Sequence, residues 1–325
     1  MNTESSDTSS KTQSATKRKV LITGGSGTVG MAFMKAYEHE FEFFNVSRNE
    51  SYISELAQQF PNTQSFVGDV RDSDRLINLF LKVRPDVVIH AAALKHVNHA
   101  ELNPSKTVEV NIVGSLNVIQ ACIRAEVPVA VAISTDKACQ PENIYGYSKK
   151  ITEQIFMEHY NPNTKFACAR FANVAGSNGS VIPFWIKSAK NGETLKLTDS
   201  RMNRLMFTAE DASKLIRQTI AYAEESSEPF VLSRIMKSVN MRELASVISR
   251  QFGDGSEPTI VGKRPGEKLN ETLVSQAELG DAYFTKDGEH IALHTNDFGT
   301  TQLTKELSSL TADYMNESEI CELFD

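Results

Sequence analysis

Thr23-Gly24-Gly25-Ser26-Gly27-Thr28-Val29-Gly30 decides the fold. It follows the apolar run Val20-Leu21-Ile22, which reads as a buried strand, and it opens a helix from about Val29. The glycines at 24, 27 and 30 form GxxGxxG. Gly24 permits a tight turn, Gly27 lets backbone approach a pyrophosphate, and Gly30 lets helix pack closely on strand. The helix start then offers free N–H groups and a positive dipole end to phosphate. A Gly-rich turn alone says only that positive φ is needed. The strand before it and the helix after it make this one a dinucleotide site, built on Gly24, Ser26, Gly27, Thr28, Val29 and Gly30.

Outward from this turn, strands and helices alternate. Phe41 to Val46, Ser65 to Val67, Val87 to Ile89, Val129 to Ile133 and Phe166 to Phe171 read as strands two to six. Helices are expected at 107–125, with Val108, Ile112, Leu116, Ile119 and Ile123 on its apolar face, and at 144–160. That alternation predicts an α/β fold with a Rossmann-like, doubly wound parallel sheet. Beyond about residue 174 it becomes irregular. Short strands (195–198, 229–232) mix with helices (209–225, 240–252), which predicts a smaller C-terminal substrate-binding lobe. The expected division is a disordered tail at 1–18, a Rossmann domain at 19–175, and a lobe at 176–325 intertwined with it. The tail is rich in Ser and Thr and has no apolar stretch.

Composition narrows the class without naming a reaction. The chain has 325 residues, 40% of them hydrophobic, which is enough for a sizeable core. Its 34 basic and 41 acidic side chains give a net charge of −7, against nucleic acid or anionic membrane as main partner. No apolar run approaches a membrane span. Cys122, Cys139, Cys168 and Cys321 are widely spaced, as in a cytoplasmic protein with reduced thiols and no metal site.

Two further motifs carry chemistry. The second strand ends in Ser47-Arg48, where an acid would select NAD; Arg48 suits a 2′-phosphate, so NADP is expected. Gly68-Asp69-Val70 ends the third strand. Asp69 there either bonds the adenine amino group or makes a plain strand-ending turn. Tyr145 and Lys149 stand at i, i+4, on one face of a helix. A neighbouring ammonium stabilises a phenolate, so Tyr145 is the candidate base.

Together these residues resemble the extended short-chain dehydrogenase/reductase family. Ala91-Ala92-Ala93-Leu94-Lys95-His96-Val97, Ser134-Thr135-Asp136-Lys137-Ala138, Ser177-Asn178-Gly179-Ser180-Val181-Ile182-Pro183 and Arg264-Pro265-Gly266-Glu267-Lys268-Leu269 are similar to the UDP-N-acetylglucosamine 4,6-dehydratases. The resemblance spans roughly 19–275 and is strongest to the C5-inverting type that begins pseudaminic acid synthesis. Membrane-anchored retaining relatives usually have Met where this chain has Tyr145. The chain departs from the family pattern at Asn178 (usually Arg), Asn203 and Leu205 (usually Thr and Phe), and Asn270 (usually His).

The resemblance implies a redox-neutral dehydration in which NADP takes hydride from C4 and returns it at C6. Tyr145 removes the C4 hydroxyl proton and Lys149 holds Tyr145 and the cofactor ribose. Lys137 is the base at C5, Asp136 the acid on the C6 hydroxyl, and Thr135 accompanies them. Lys137 must be neutral, its pKa depressed by Lys149, the nicotinamide charge and desolvation. Ser47, Arg48, Asp69, Val70 and Ala91 complete the cofactor set. Lys95, Asn173, Ser177, Arg204, Arg264 and Glu267 are the substrate set, each with ordinary lobe surface as its alternative. A 4-epimerase, a retaining dehydratase or a non-catalytic sugar-nucleotide binder are the competing readings, and a homo-oligomer is expected.

Overall fold

The computed structural model describes residues 16–264 and 266–324. Residues 1–15 of the expected tail lie outside the described residues, and Arg18 already belongs to a strand. The first half of the chain runs β1 (Arg18–Thr23), α1 (Thr28–Tyr37), β2 (Phe41–Ser47), α2 (Glu50–Gln59), β3 (Gln64–Val67), α3 (Ser73–Val83), β4 (Val87–His90), α4 (Val97–Leu102) and α5 (Pro104–Thr107). A π-helical segment, Val108–Val113, leads into α6 (Gly114–Arg124), followed by β5 (Val129–Thr135), a 3₁₀ turn at Asp136–Ala138, α7 (Ile144–Glu158) and β6 (Lys165–Phe171).

The second half contains β7 (Asn173–Val174), α8 (Val181–Lys190), β8 (Lys196–Leu197), β9 (Asn203–Phe207), α9 (Ala209–Glu225), β10 (Phe230–Arg234), β11 (Ser238–Asn240) and α10 (Met241–Phe252). It ends with β12 (Thr259–Ile260), β13 (Thr272–Val274), β14 (Ala282–Phe284), β15 (His290–Leu293), β16 (Thr301–Gln302), β17 (Leu307–Ser308) and α11 (Glu317–Cys321).

The main sheet has ten strands in the order β16-β14-β15-β10-β6-β5-β4-β1-β2-β3. From β3 across to β10 every pairing is parallel, and β15, β14 and β16 extend it antiparallel. Side chains alternate faces along each strand. Val20 and Ile22 join Phe33 of α1 and Ile216 and Ile220 of α9 in one core. Leu21 joins Phe80 of α3 and Val118 and Ile119 of α6 in the core on the other face. A third core, around Trp185, Leu197, Met206, Leu244 and Ile248, holds α8 and α10 to the small sheets β11-β9-β7 and β12-β8. Residues 176–325 therefore do two jobs: part forms a separately cored lobe, and β10, β14, β15 and β16 finish the main sheet.

One periodicity is corrected. The helix expected at 107–125 is broken by its π turn, which shifts the register by a residue. Val108 turns out to solvent, and Asn111 and Ser115 turn inward.

Candidate active site

The parallel strands β1, β4 and β5 end on one edge of the sheet, flanking the point where strand order reverses beside β1. Ligands of such sheets bind outside this edge. Gly24 has φ of +72°, and a side chain there would strike the Ala92 backbone at 2.9 Å. Gly30 packs against Gly25 of the turn itself, where a Cβ would lie 2.4 Å from the Gly25 carbonyl oxygen. This differs from the expected helix-on-strand contact. No side chain caps α1, so its first N–H groups are open to an anion, which fits a dinucleotide pyrophosphate.

Ser26, Ser47 and Asn45 form a hydrogen-bonded chain at 3.0 and 2.9 Å behind that turn. Ala91 N–H donates to the Thr23 carbonyl at 3.0 Å, fixing the loop after β4. Arg48 is half exposed, and its guanidinium lies 4.0 Å from Asp69. Asp69 accepts the Arg71 N–H at 3.0 Å and pairs with the Arg71 guanidinium at 2.7 Å, so the strand-ending turn is present. The Val70 side chain belongs to the core, buried against Gly114, and its carbonyl accepts from Asn117.

β5 delivers the chemistry. Thr135 Oγ1 accepts the Lys137 N–H at 3.5 Å, starting the 3₁₀ turn, and donates to Asp136 Oδ1 at 2.8 Å. Lys137 Nζ donates to the same Oδ1 at 3.0 Å. Asp136 Oδ2 is buried and has no hydrogen-bond partner among the described residues. Asn143 caps α7 by accepting the Gly146 N–H at 2.8 Å, which sets Tyr145 over the turn. Gly146 makes that approach possible, since a Cβ there would lie 2.5 Å from the Lys137 carbonyl oxygen.

Tyr145 is buried, which pushes its pKa up to about 12; Lys137 and the Thr135 hydroxyl counter this, and Asp136 adds to it. Lys149, one turn on along α7, donates to the Ile133 carbonyl at 2.6 Å, and burial lowers its pKa to about 8. Lys137 itself is held above the usual lysine range. Burial alone would lower it, but Asp136 and Glu271 outweigh burial, and the opposing cation is Arg204. Asp136 and Lys137 thus form an ion pair, with Glu271 as a second carboxylate beside it.

The expected substrate residues are only partly gathered. Lys95 Nζ donates to the Asn178 carbonyl at 2.9 Å, and Asn178 N–H donates to Thr28 Oγ1 at 3.0 Å. The Ser177–Ser180 turn therefore bridges the pyrophosphate helix and the β4 loop. Asn173 turns to the Leu205 carbonyl at 2.9 Å. Arg204 is buried, and its guanidinium donates to the carbonyls of Asn203, Lys268 and Leu269, which commits three of its five N–H donors. Arg264 is exposed, and its N–H is capped by Glu267 at 3.0 Å.

Two site residues escaped the sequence reading. Asn111 holds the Leu94 backbone at 2.8 and 3.1 Å and Ser148 of α7 at 2.9 Å, locking loop to helix. Glu271 brings a buried carboxylate to 4.0 Å from Lys137 Nζ.

Known proteins are similar to this chain over most of its length. A UDP-N-acetylglucosamine 4,6-dehydratase (inverting) of Campylobacter jejuni is 36% identical over 284 residues, 84% of this chain and 81% of that one. A UDP-glucose 4-epimerase of Rickettsia bellii is 30% identical, over 82% of this chain and 80% of that one. The X-ray structure of Pen from Bacillus thuringiensis superposes with a TM-score of 0.85 at 28% identity, covering 94% of this chain and 96% of that chain. A family model described as polysaccharide biosynthesis protein matches residues 20–292, from β1 through β15, so the turn, the β5 end and Glu271 all lie within the match, and the chain belongs to that family.

Proposed function

We propose that the chain dehydrates UDP-N-acetylglucosamine to a 4-keto-6-deoxy sugar nucleotide with inversion at C5, using bound NADP. The observation that carries this reading is the Asp136–Lys137 pair at the end of β5, its carboxylate buried and its lysine half-buried, facing Tyr145. A 4-epimerase needs no elimination, so it would leave that pair without a task.

The pair holds one proton between a carboxylate and an amine 3.0 Å apart. Moving it from Nζ to Asp136 yields a neutral lysine and a protonated acid with no exchange with solvent. Those are the two forms elimination needs: a base for the C5 proton and an acid for the C6 hydroxyl. Asp136 Oδ2, buried and without a hydrogen-bond partner among the described residues, is the oxygen left to carry that proton. A nicotinamide cofactor held by the turn at Gly24–Gly30 and by Arg48 would supply reversible hydride transfer, and its positive charge would favour the Tyr145 phenolate. Tyr145 takes the C4 hydroxyl proton, and the resulting ketone acidifies C5–H. NADP rather than NAD is favoured by Arg48 and by the lack of an acid at the end of β2.

The same reading assigns the reaction to the cytoplasm and to pseudaminic acid synthesis. It also predicts a homo-oligomer. Val108, Val113, Tyr147 and Ile151 are exposed apolar side chains on the neighbouring π segment and α7.

Incubation with UDP-N-acetylglucosamine in D₂O, followed by NMR, tests the reaction. The expected product is the 6-deoxy-4-keto sugar with deuterium at an inverted C5. A C4 epimer formed without loss of water overturns the reading. Lys137→Ala should still reduce the cofactor yet release no water.

A further inference from the structure

Lys137 lies between two carboxylates, Asp136 on its own turn and Glu271 from the segment before β13. That segment is anchored without help from the Glu271 side chain. Glu271 N–H donates to Ser309 Oγ at 3.0 Å, and its carbonyl accepts the Ser309 N–H at 2.8 Å. Asn270 Oδ1 accepts from Asn203 Nδ2 at 2.9 Å, and Asn203 Oδ1 accepts from Asn240 Nδ2 at 3.0 Å. Asn203 and Asn270 are two of the positions where this chain departs from the family pattern, and they are bonded to each other. Arg204 ties down the carbonyls of Lys268 and Leu269 beside them. An anchor of this kind delivers one buried carboxylate to the site and fixes its distance.

We propose that Glu271 is the positioning residue of the acid–base pair, holding the Lys137 ammonium against Asp136 and governing when that lysine becomes a base. The inference rests on the dehydratase reading above. The proton transfer from Nζ to Asp136 breaks one N–H bond and forms one O–H bond, so charge on the lysine disappears. A fixed negative charge 4.0 Å from Nζ opposes that loss. The groups facing Lys137 are Asp136 on its own turn, Tyr145 from α7, Glu271 ahead of β13 and Arg204 from β9. Glu271 is itself raised by burial and opposed by Lys137, with Asp136 raising it further and Arg204 and Lys268 lowering it. Protonating or neutralising Glu271 removes the charge that pins the ammonium, and the amine form becomes accessible at lower pH.

The test is Glu271→Gln, which keeps shape and removes charge. Lysine side-chain NMR on the ligand-free protein follows the Lys137 titration, assigned by its loss in Lys137→Ala. The kcat–pH profile for dehydration follows its consequence. Both the Lys137 midpoint and the alkaline limb, where the pair loses its one proton, should move down together by about one pH unit or more. KM for the sugar nucleotide should stay within about twofold, because the side chain is not a substrate contact. A midpoint and a limb that stay at the parental pH overturn the proposal. Glu271→Asp gives the same decision if the Gln variant does not fold: a midpoint displaced from the parental value supports the proposal, and an unmoved one overturns it. If the parental protein makes no C5-deuterated keto product, the dehydratase reading fails, and the NMR titration still decides whether Glu271 controls Lys137.

Discussion

Two cations in this protein, Arg170 buried and Lys137 half-buried, each face two carboxylates, and they are built differently. Behind the sheet, Arg170 spends all five N–H donors: two bonds to Glu153, two to Glu278 and one to the Leu273 carbonyl. Ser134 completes Glu153, while Cys139 and Ser275 complete Glu278. At the sheet edge, Lys137 makes one bond to Asp136, stands 4.0 Å from Glu271, and leaves Asp136 Oδ2 with no partner. A saturated buried network holds one arrangement, because every alternative strands a desolvated group. An unsaturated one has somewhere for a proton to go. The two clusters are neighbours through β5, so the rigid one behind serves as footing for the labile one in front.

The largest expected effect comes from breaking the rigid cluster. Arg170→Met would leave Glu153 and Glu278 buried without their cation, at a cost of about 3–5 kcal/mol in unfolding free energy. Denaturant unfolding measures it, and a loss below about 1 kcal/mol would mean that the cluster contributes little net stability. Next is the pH dependence of the same cluster. Burial alone would raise Glu278, but Arg170 outweighs it and holds the carboxyl near about 2. The folded pKa lies below the unfolded one, so this contribution is present above the ordinary glutamate range and is lost as pH falls through about 2. Compared with Glu278→Gln, the parental protein should be more stable by about 3 kcal/mol at pH 7. The gap should close on acidification, and a gap that is flat with pH would exclude the carboxylate as its source.

How much of this was legible depended on whether the cause was local. The turn at 23–30 and the strands through β6 announce themselves, because apolar runs and glycines act within a few residues. Tyr145 is legible from its i, i+4 spacing to Lys149, whereas Asp136 and Lys137 enter only through resemblance to a family, because nothing in their own spacing marks a close acid–base pair. Glu271 was missed because its meaning lies in a contact with a distant turn, and a lone glutamate carries no pattern. Asn111 was missed because the π turn rotates it inward, against the apolar face that regular helical spacing assigns. Gly146 carries no signal of its own in the sequence, although it is the point where α7 touches the Lys137 backbone.

That glycine gives a way to damage the labile cluster while sparing the rigid one. An added methyl in Gly146→Ala meets the Lys137 carbonyl at 2.5 Å and Pro141 at 3.2 Å, and a backbone oxygen has no rotamer by which to move aside. The turn must shift by tenths of an ångström. The strain, about 1–3 kcal/mol, is partly offset by the better helix propensity of alanine, worth about 1 kcal/mol. Turnover should fall by about 100-fold while the melting temperature moves only a few degrees. If turnover and stability fell in proportion, the precise placement of Tyr145 over Lys137 would not be what the reaction uses.

The smallest effect sharpens the contrast at the far end of the site. Arg48 and Asp69 are a third charged group, but an exposed one, and a 4.0 Å pair in solvent is worth little to the fold. Burial would raise the Asp69 carboxyl, yet its bonds to Arg71, with Arg48 farther off, bring it below the usual range. Asp69 is therefore already committed to Arg71, which leaves the Arg48 guanidinium available to a dianionic 2′-phosphate. Arg48→Ala should leave the melting temperature unchanged and weaken NADP about 10- to 30-fold, with NAD affected less than about twofold. Equal weakening of both would remove the 2′-phosphate assignment. Arg71→Ala then tests the commitment: releasing Asp69 should let it compete for Arg48 and weaken NADP again, by less. If Arg71→Ala left NADP binding untouched, Asp69 would not be competing for Arg48, and Arg48 would be available with or without Arg71.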